Sequence, residues 1–349
     1  MSAANQDTRQ RWARSAMVAF ERLPLPYPII VILVGVLATA EQALELRFSA
    51  GQGSPNAVSE AIVFVAILVY TLMSLRFLKQ KALSALFDLR PAVLISDEAY
   101  DRYVRWMLSA RSGVEVGLIA AATVIVAPLF MQETDLINAV IGNSSIGAII
   151  VLAFMVLTWV LLGWSLLSLG YASVRQARAL DALAHCPLTF NVYDPSNLFP
   201  FGRLSLWHGL VITGLAMIPL ILLGMPTHAG FLVVGVSIIS LLAVFIPLWG
   251  VHEQIGSAKA KALSAMGSQL FEVQAQWLDP LAHSADESKR MSDRINMLLT
   301  LRTVIAESPS WPFRSEAALV RAVIAAASPV IYFFVNQLIL RFVISGGIR

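Results

Sequence analysis

This sequence predicts an all-α polytopic membrane protein, a bundle of about seven transmembrane helices. Of its 349 residues, 57% are hydrophobic and only 13% are charged, and the mean hydropathy is +0.72. A soluble globular domain carries roughly 25% charged residues. Seven long apolar runs recur along the chain, and nearly all lysines and arginines lie in alternate segments between them. Low charge, recurring runs and charge asymmetry together indicate helices that cross a bilayer repeatedly.

Each apolar run is close to the length that a bilayer requires, which is about 20 residues for a helix. The fourth run carries the clearest signal, because residues 146–173 contain no charged side chain. The first run is the weakest, because three prolines lie at its start and Glu41 interrupts it. The seven runs cover residues 25–45, 58–76, 113–131, 145–173, 205–225, 230–250 and 318–343.

The first run also has the pattern of a secretory signal peptide. An apolar core at 29–38 precedes the small residues Ala38, Thr39 and Ala40, and the basic flank consists of Arg9, Arg11, Arg14 and Arg22. The basic region is long and proline-containing, and residues 42–46 can continue the helix. We therefore expect a retained first helix, with cleavage as the alternative, and the remaining topology is the same in both cases.

Lysine and arginine set the expected orientation. With loops assigned alternately, 22 of the 25 basic residues fall on one side, and the other side has only Arg47, Arg341 and Arg349. By the positive-inside rule, the N-terminus is cytoplasmic and the C-terminus is outside a plasma membrane, such as a bacterial inner membrane. The expected organisation is a cytoplasmic segment 1–24, six spans over 25–250 with cytoplasmic loops 77–111 and 174–204, a cytoplasmic helical hairpin 251–314, and a seventh span with a short external tail over 315–349.

Apolar residues at helical spacing predict the hairpin after the sixth run. Ser284 and Glu287 form a capping-box pattern that opens its second arm. The face of the first arm contains Ile255, Ala258, Ala262, Met266, Leu270, Val273 and Trp277. The face of the second arm contains Met291, Ile295, Leu298, Arg302 and Ile305. With the amphipathic loop 77–111, the hairpin is expected to bury a modest core. It either packs only under its own bundle or joins subunits. In the second case, polar substitutions at Leu298 and Ile305 should yield smaller particles.

The sequence lacks the residue clusters of enzymes and metal sites. Its five histidines are scattered over separate loops and runs, and Cys186 is the only cysteine. No H-E-x-x-H, C-x-x-C, G-x-S-x-G or Walker pattern occurs. We therefore expect no catalytic residue, no metal and no cofactor. The net charge of +3 reflects asymmetric loops, and we expect no nucleic-acid partner.

Two groups of polar residues near the membrane surfaces are candidate sites. Loop 184–209 contains an Asp-Pro-Ser-Asn turn signal and aromatic interfacial anchors. It is either a structural re-entry into the bilayer or a place where Arg203 and His208 contact lipid head groups. Glu41 and Glu45 lie one turn apart at the outer end of the first run. They are either an exposed or snorkelling pair or the outer entrance of a pore.

The last run has the most polar transmembrane face. One helical stripe contains Ala325, Ser328, Tyr332, Asn336, Ile339 and Val343, and Gln337 lies about 100° away. Hydrocarbon penalises unpaired amides, so Asn336 and Gln337 either bond a neighbouring helix or face water. A water-filled pore lined by Ser328, Tyr332, Asn336 and Gln337 requires a homo-oligomer. By contrast, Gly113, Gly117 and Ala121 of the third run form a small-xxx-small strip that predicts close internal helix contact.

Seven spans, an inside N-terminus, short outer loops and a helical cytoplasmic region before a polar last span resemble the seven-transmembrane ion channels related to insect odorant and gustatory receptors. Those channels assemble as tetramers through their cytoplasmic regions and line the pore with the last span. Their last span carries Thr-Tyr, five apolar residues and Gln-Phe. Here Ile331 precedes Tyr332, four residues separate Tyr332 from Gln337, and Leu338 follows. The resemblance implies a homo-oligomeric channel.

The expected function is therefore an ion-conducting channel among membrane lipids. Its cation preference should be weak, because the stripe is neutral and the outer acids exceed the outer bases. These acids are Glu41, Glu45, Glu60, Glu133 and Asp135. One alternative is a membrane scaffold or sensor whose hairpin binds a cytoplasmic protein partner. Another is a lipid- or small-solute-handling protein that uses loop 184–209.

Overall fold

The computed structural model describes residues 26–48, 57–109, 112–132, 146–223, 230–277 and 285–346. Within these ranges the chain is helical, and its β-structure is limited to two isolated bridges. The all-α prediction is confirmed. The helices are α1 Tyr27–Phe48, α2 Ala57–Leu89, α3 Asp97–Leu108, α4 Ser112–Gln132, α5 Ile146–Ala184, α6 Phe199–Leu223, α7 Gly230–Phe245, α8 Trp249–Trp277, α9 Ala285–Glu307 and α10 Glu316–Gly346. Short 3₁₀ turns occupy Arg90–Ala92, Pro195–Leu198 and Ile246–Leu248.

Seven segments of the described chain are long and apolar enough to cross a membrane, as the hydropathy predicts. They contain α1, α2, α4, α5, α6, α7 and α10, and they make this chain a multi-pass helical membrane protein. Helices α2 and α5 have 33 and 39 residues, well beyond the roughly 20 that a bilayer needs. The apolar runs end at Arg76 and Arg175, but the helices continue, because the residues that follow are mostly good helix formers.

Helix α6 is central to the bundle. It packs against α2 on one side and against α7 on another, while α1 lies against α2 and α4 against α5. Glycines permit these close approaches. A Cβ added at Gly209 would lie 2.4 Å from Val244, and one at Gly214 would lie 2.1 Å from the Tyr70 hydroxyl. That hydroxyl donates a hydrogen bond to the Val211 carbonyl at 3.0 Å, which ties α2 to α6.

One end of the bundle contains a large buried core, which we call the basal core. It combines the C-terminal ends of α2 and α5, most of α3, the start of α6, the junction of α7 with α8, and Phe313. The Tyr100 hydroxyl donates to the Leu86 carbonyl at 2.5 Å, and the Gln254 amide donates to the carbonyls of Ala184 and Cys186. The segments 77–111 and 174–204 contribute most of it, so loop 77–111 buries a core as expected, whereas the hairpin helices, expected to share that core, add only Val251 and Ile255 among the described residues.

Helices α8 and α9 pack against one another as a hairpin that leaves the basal core. Ile255, Val273, Leu298 and Ile305 are at most 4% exposed, so the apolar spacing identified the buried faces. Arg302, which we placed on the same face, is exposed. Its charged guanidinium is more stable in water than it would be in the apolar contact between the two helices. The capping residue Ser284 lies outside the described residues.

The predicted contact strip on the third run is wrong. A Cβ added at Gly113 or Gly117 would meet nothing within 4 Å, and Ala121 is exposed. The contact with α5 is made one helical position further on, where Ala122 lies 3.3 Å and Val126 3.2 Å from a Cβ placed on Gly163. Successive residues lie about 100° apart around a helix. The stripe through Ala122 and Val126 therefore faces α5, and the stripe through Gly113 and Gly117 does not.

Candidate functional site

The polar stripe of the last run lies on α10, at one side of the bundle. Helix α10 packs chiefly against α6 and α7, and only 12% of its apolar segment is buried. Ser328, Tyr332, Asn336 and Gln337 are half-buried, whereas several apolar side chains beside them are exposed, for example Val335 at 48% and Leu338 at 54%. Ile339 is also 55% exposed. The stripe therefore borders the intrachain contact without being enclosed by it.

The polar groups of this stripe have few hydrogen-bond partners among the described residues. The Ser328 hydroxyl donates to the Ala325 carbonyl of its own helix at 2.8 Å, as serine commonly does inside helices. In the described part of the chain, no side-chain hydrogen bond joins Tyr332, Asn336 or Gln337 to another helix. As far as the described residues go, the amides of Asn336 and Gln337 are therefore available to water or to another molecule. The side chain of Val343 lies outside the described residues.

Glu41 does not form an exposed pair with Glu45. Its side chain is only 3% exposed. One carboxylate oxygen accepts a hydrogen bond from the Gln42 amide at 3.1 Å, and Thr158 of α5 lies beside it. The other oxygen, Oε1, has no hydrogen-bond partner among the described residues. The expectation of an exposed or snorkelling Glu41 is wrong, because the end of α1 turns this residue toward α5. The side chain of Glu45 lies outside the described residues.

His208 belongs to a buried polar cluster between α5 and α6. It is 2% exposed, and Gln176 and Ser205 beside it are fully buried. The His208 Nδ1 lies 2.9 Å from the Leu204 carbonyl, and its Nε2 lies 2.8 Å from the Gln176 side-chain amide. A carbonyl can only accept, so Nδ1 carries the proton. Nε2 of a neutral ring can only accept, so the Gln176 oxygen that faces it has to change places with the amide nitrogen by a 180° flip of the side chain, after which the nitrogen donates to Nε2.

The structure does not bring Arg203 and His208 together. Arg203 is exposed and borders a small surface pocket with Lys81, Asp88 and Trp207. The two residues are five positions apart, which places them about 140° apart around α6. Arg203 therefore points to a surface and His208 into the bundle, and a single head-group site formed by both does not exist in this arrangement.

A cleft beside His208 was not anticipated from the sequence. It has a volume of about 500 Å³ and lies between α5, α6 and α7. Its α5 wall includes the small residues Gly170, Ser173 and Ala177 at helical spacing. That spacing was a visible signal of a groove, but the helices that close the groove come from distant parts of the chain. A second groove of about 690 Å³ between α1 and α2 is almost entirely apolar.

Replacing His208 by leucine should destabilise the protein by about 1–3 kcal/mol, because the Gln176 amide would be left buried without its partner. Thermal unfolding of the purified protein in detergent measures this change. His185→Leu is the matched control, since the His185 side chain is 63% exposed. Adding Gln176→Leu to His208→Leu should recover stability, because both partners then become apolar. A double variant less stable than the single one would contradict this pairing.

The described residues contain no group of three or more His, Cys, Asp or Glu side chains that could hold a metal ion. Comparisons of the chain with protein-family models, with curated proteins and with solved structures give no match. The function must therefore be argued from the chemistry of the residues themselves. Among the described residues, the α10 stripe and the cleft beside His208 have the most specific chemical character.

Proposed function

We propose that this chain forms a homo-oligomeric, weakly cation-preferring ion channel whose pore is lined by copies of α10. The observation that carries the proposal is the polar stripe of Ser328, Tyr332, Asn336 and Gln337 on a peripheral helix. An amide transferred to hydrocarbon without a hydrogen bond costs roughly 4–8 kcal/mol. Adjacent amides that have no hydrogen-bond partner among the described residues therefore favour an environment other than lipid.

A water-filled pore surrounded by several copies of this chain provides such a polar environment for the two amides. Helix α10 contacts mainly α6 and α7, so its remaining surface is available to face a symmetry axis. One 38.0 kDa chain cannot enclose a channel with a single polar helix. Water along the axis would satisfy Asn336 and Gln337, while the exposed apolar neighbours would pack between subunits.

The proposed orientation has the basal core and the hairpin in the cytoplasm and the C-terminus outside. The distribution of 22 of the 25 basic residues supports it. The accessibility of a C-terminal tag in intact cells measures it. Because Glu41 is buried, the weak cation preference at the outer entrance depends on Glu45, the exposed Glu60, Glu133 and Asp135.

The α8–α9 hairpin offers apolar surface for assembly. Phe271 is 75% exposed, Met297 58% and Val304 44%, and Met297 and Val304 lie two turns apart on one face of α9. Leu298 and Ile305, by contrast, are buried within the chain. Polar substitutions at those two positions would therefore disrupt the hairpin itself. A test of assembly has to use the exposed face.

The double variant Met297→Lys/Val304→Lys should separate the oligomer into smaller particles, because lysine at these positions repels its counterpart and cannot be buried at low cost. Mass photometry of the purified protein measures particle size. The double variant Ser292→Lys/Thr303→Lys is the matched control, since both are exposed polar residues of the same helix and lie roughly 100° or more around α9 from Met297 and Val304. Unchanged particle size in the Met297/Val304 variant would contradict assembly through this face.

The function itself is tested with purified wild-type protein in planar bilayers. We expect discrete conductance steps, a small reversal-potential shift toward cation selectivity in a KCl gradient, and little discrimination between Na⁺ and K⁺, since the lining is neutral. Particles larger than one chain should accompany the conductance. Monomeric particles without conductance would overturn the proposal.

A further inference from the structure

The cleft between α5, α6 and α7 has the dimensions and the composition of a ligand site. Its volume of about 500 Å³ lies within the range of roughly 300–1,000 Å³ that is usual for small-molecule pockets. Most of its wall is aliphatic. The apolar side chains include Leu166, Leu169, Ile212, Leu215, Ile239 and Leu242.

The cleft is polar at one end and apolar at the other. Arg178 and Asp181, near the C-terminal end of α5, lie toward the basal core, together with Pro247. Ser173 and His208 line the middle, and Leu166 and Leu215 line the opposite end. A ligand that matches this order has a charged head at the basal end and a hydrocarbon chain along the membrane-spanning part.

Two polar groups of the cleft lack partners in the described part of the chain. Ser173 is 8% exposed, and its hydroxyl Oγ makes no hydrogen bond there. The exposed guanidinium of Arg178 likewise takes part in no ion pair with the described residues. Asp181, the acid at the same end, is engaged: its carboxylate lies 3.6 Å from the His185 ring. A cation and a buried hydroxyl are therefore available to a ligand.

We infer that this cleft binds a single-chain anionic amphiphile, with its alkyl chain between α5, α6 and α7 and its carboxylate or phosphate on Arg178. The guanidinium is suited to these groups, because it forms two parallel hydrogen bonds with a carboxylate or a phosphate. The apolar walls favour the chain through the hydrophobic effect. Ser173 lies about 7.5 Å further along α5 and can donate a hydrogen bond to an ester or hydroxyl oxygen that follows the head group. This site is independent of the α10 stripe and does not rest on the channel proposal.

Photolabelling of the full-length protein in nanodiscs tests the inference. Three probes share one alkyl chain with a terminal diazirine and differ only in the head: a fatty acid, a lysophosphatidic acid and a fatty alcohol. We expect the labelled peptides to come from the cleft walls of α5, α6 and α7. Labelling by the anionic probes should exceed that by the alcohol by about tenfold, the effect expected of one charge-assisted hydrogen bond. Whichever of the two anions labels more strongly identifies the head group, and either result supports the site.

Two matched pairs of variants make the test specific. Ile239→Trp should fill the cleft and lower labelling by about tenfold, whereas Ile238→Trp should not, because Ile238 is similarly exposed but does not line the cleft. Arg178→Gln should remove the preference for anionic probes, whereas Arg321→Gln on exposed α10 surface should preserve it. Equal labelling by the alcohol in the wild-type protein would overturn the inference, and so would equal effects of the two tryptophan variants.

Discussion

Replacing Asn336 by leucine should abolish conductance or reduce it severely, at little cost to folding. If Asn336 faces water in a pore, leucine removes a polar lining group from every subunit at once and favours dewetting of the pore at that level. The substitution leaves no buried group without a hydrogen bond, since Asn336 has no hydrogen-bond partner in the described part of the chain. Single-channel recordings of purified wild type and Asn336→Leu in planar bilayers measure the difference.

Val335→Leu is the matched control for this experiment. Val335 neighbours Asn336 on α10 but is 48% exposed and lies off the polar stripe, so wild-type conductance is expected. If Asn336 instead bonds a helix of another subunit, its loss costs only about 0.6 kcal/mol and conductance persists. Conductance that survives in Asn336→Leu would therefore contradict the assignment of α10 to the pore.

Gly202→Ala should produce the largest loss of stability among the glycine substitutions. A Cβ at this position would lie 2.1 Å from the Pro312 carbonyl oxygen and 3.1 Å from the Phe313 ring. The nearest atom belongs to the backbone of the connector between α9 and α10, so α6 and the connector must separate. Overpacking of this kind costs about 1–3 kcal/mol or more. Thermal unfolding in detergent measures the expected decrease in melting temperature.

Gly117→Ala is the control, because an added Cβ there meets nothing within 4 Å. Alanine also favours a helix over glycine by about 1 kcal/mol, so this variant should be at least as stable as the wild type. A stable Gly202→Ala protein would mean that the connector does not rest on α6 as described.

The loss of stability should extend beyond one contact, because the connector is held at several points. The His252 Nδ1 lies 2.9 Å from the Ser310 carbonyl, and its ring stacks on Trp311 at 4.2 Å. Lys259 donates to the carbonyls of Ala306 and Ser308, where a cation stabilises the C-terminal end of α9. Displacing residue 312 from α6 strains these contacts, which also set where α10 begins.

The sequence by itself determined the helical class, the seven membrane-crossing helices and the buried faces of the hairpin. These features depend on local properties. A bilayer sets the length of an apolar run, and the helical repeat brings Leu298 and Ile305 to one face whatever lies beside them. The polar stripe of α10 was visible for the same reason, because its residues share one helix.

Only the tertiary structure decided which helices are neighbours, and with that the outcome of the predictions about contacts between helices that are distant in the sequence. Gly113 and Gly117 had the right spacing for close packing, but α5 contacts the adjacent stripe at Ala122 and Val126. Glu41 is buried because α5 lies beside it, and His208 is buried because Gln176 of α5 lies against it. The cleft exists only where α7 approaches α5 and α6. Because successive residues lie about 100° apart around a helix, the side of the helix on which a partner packs decides which residues are buried. That partner helix lies far away in the sequence in each of these cases.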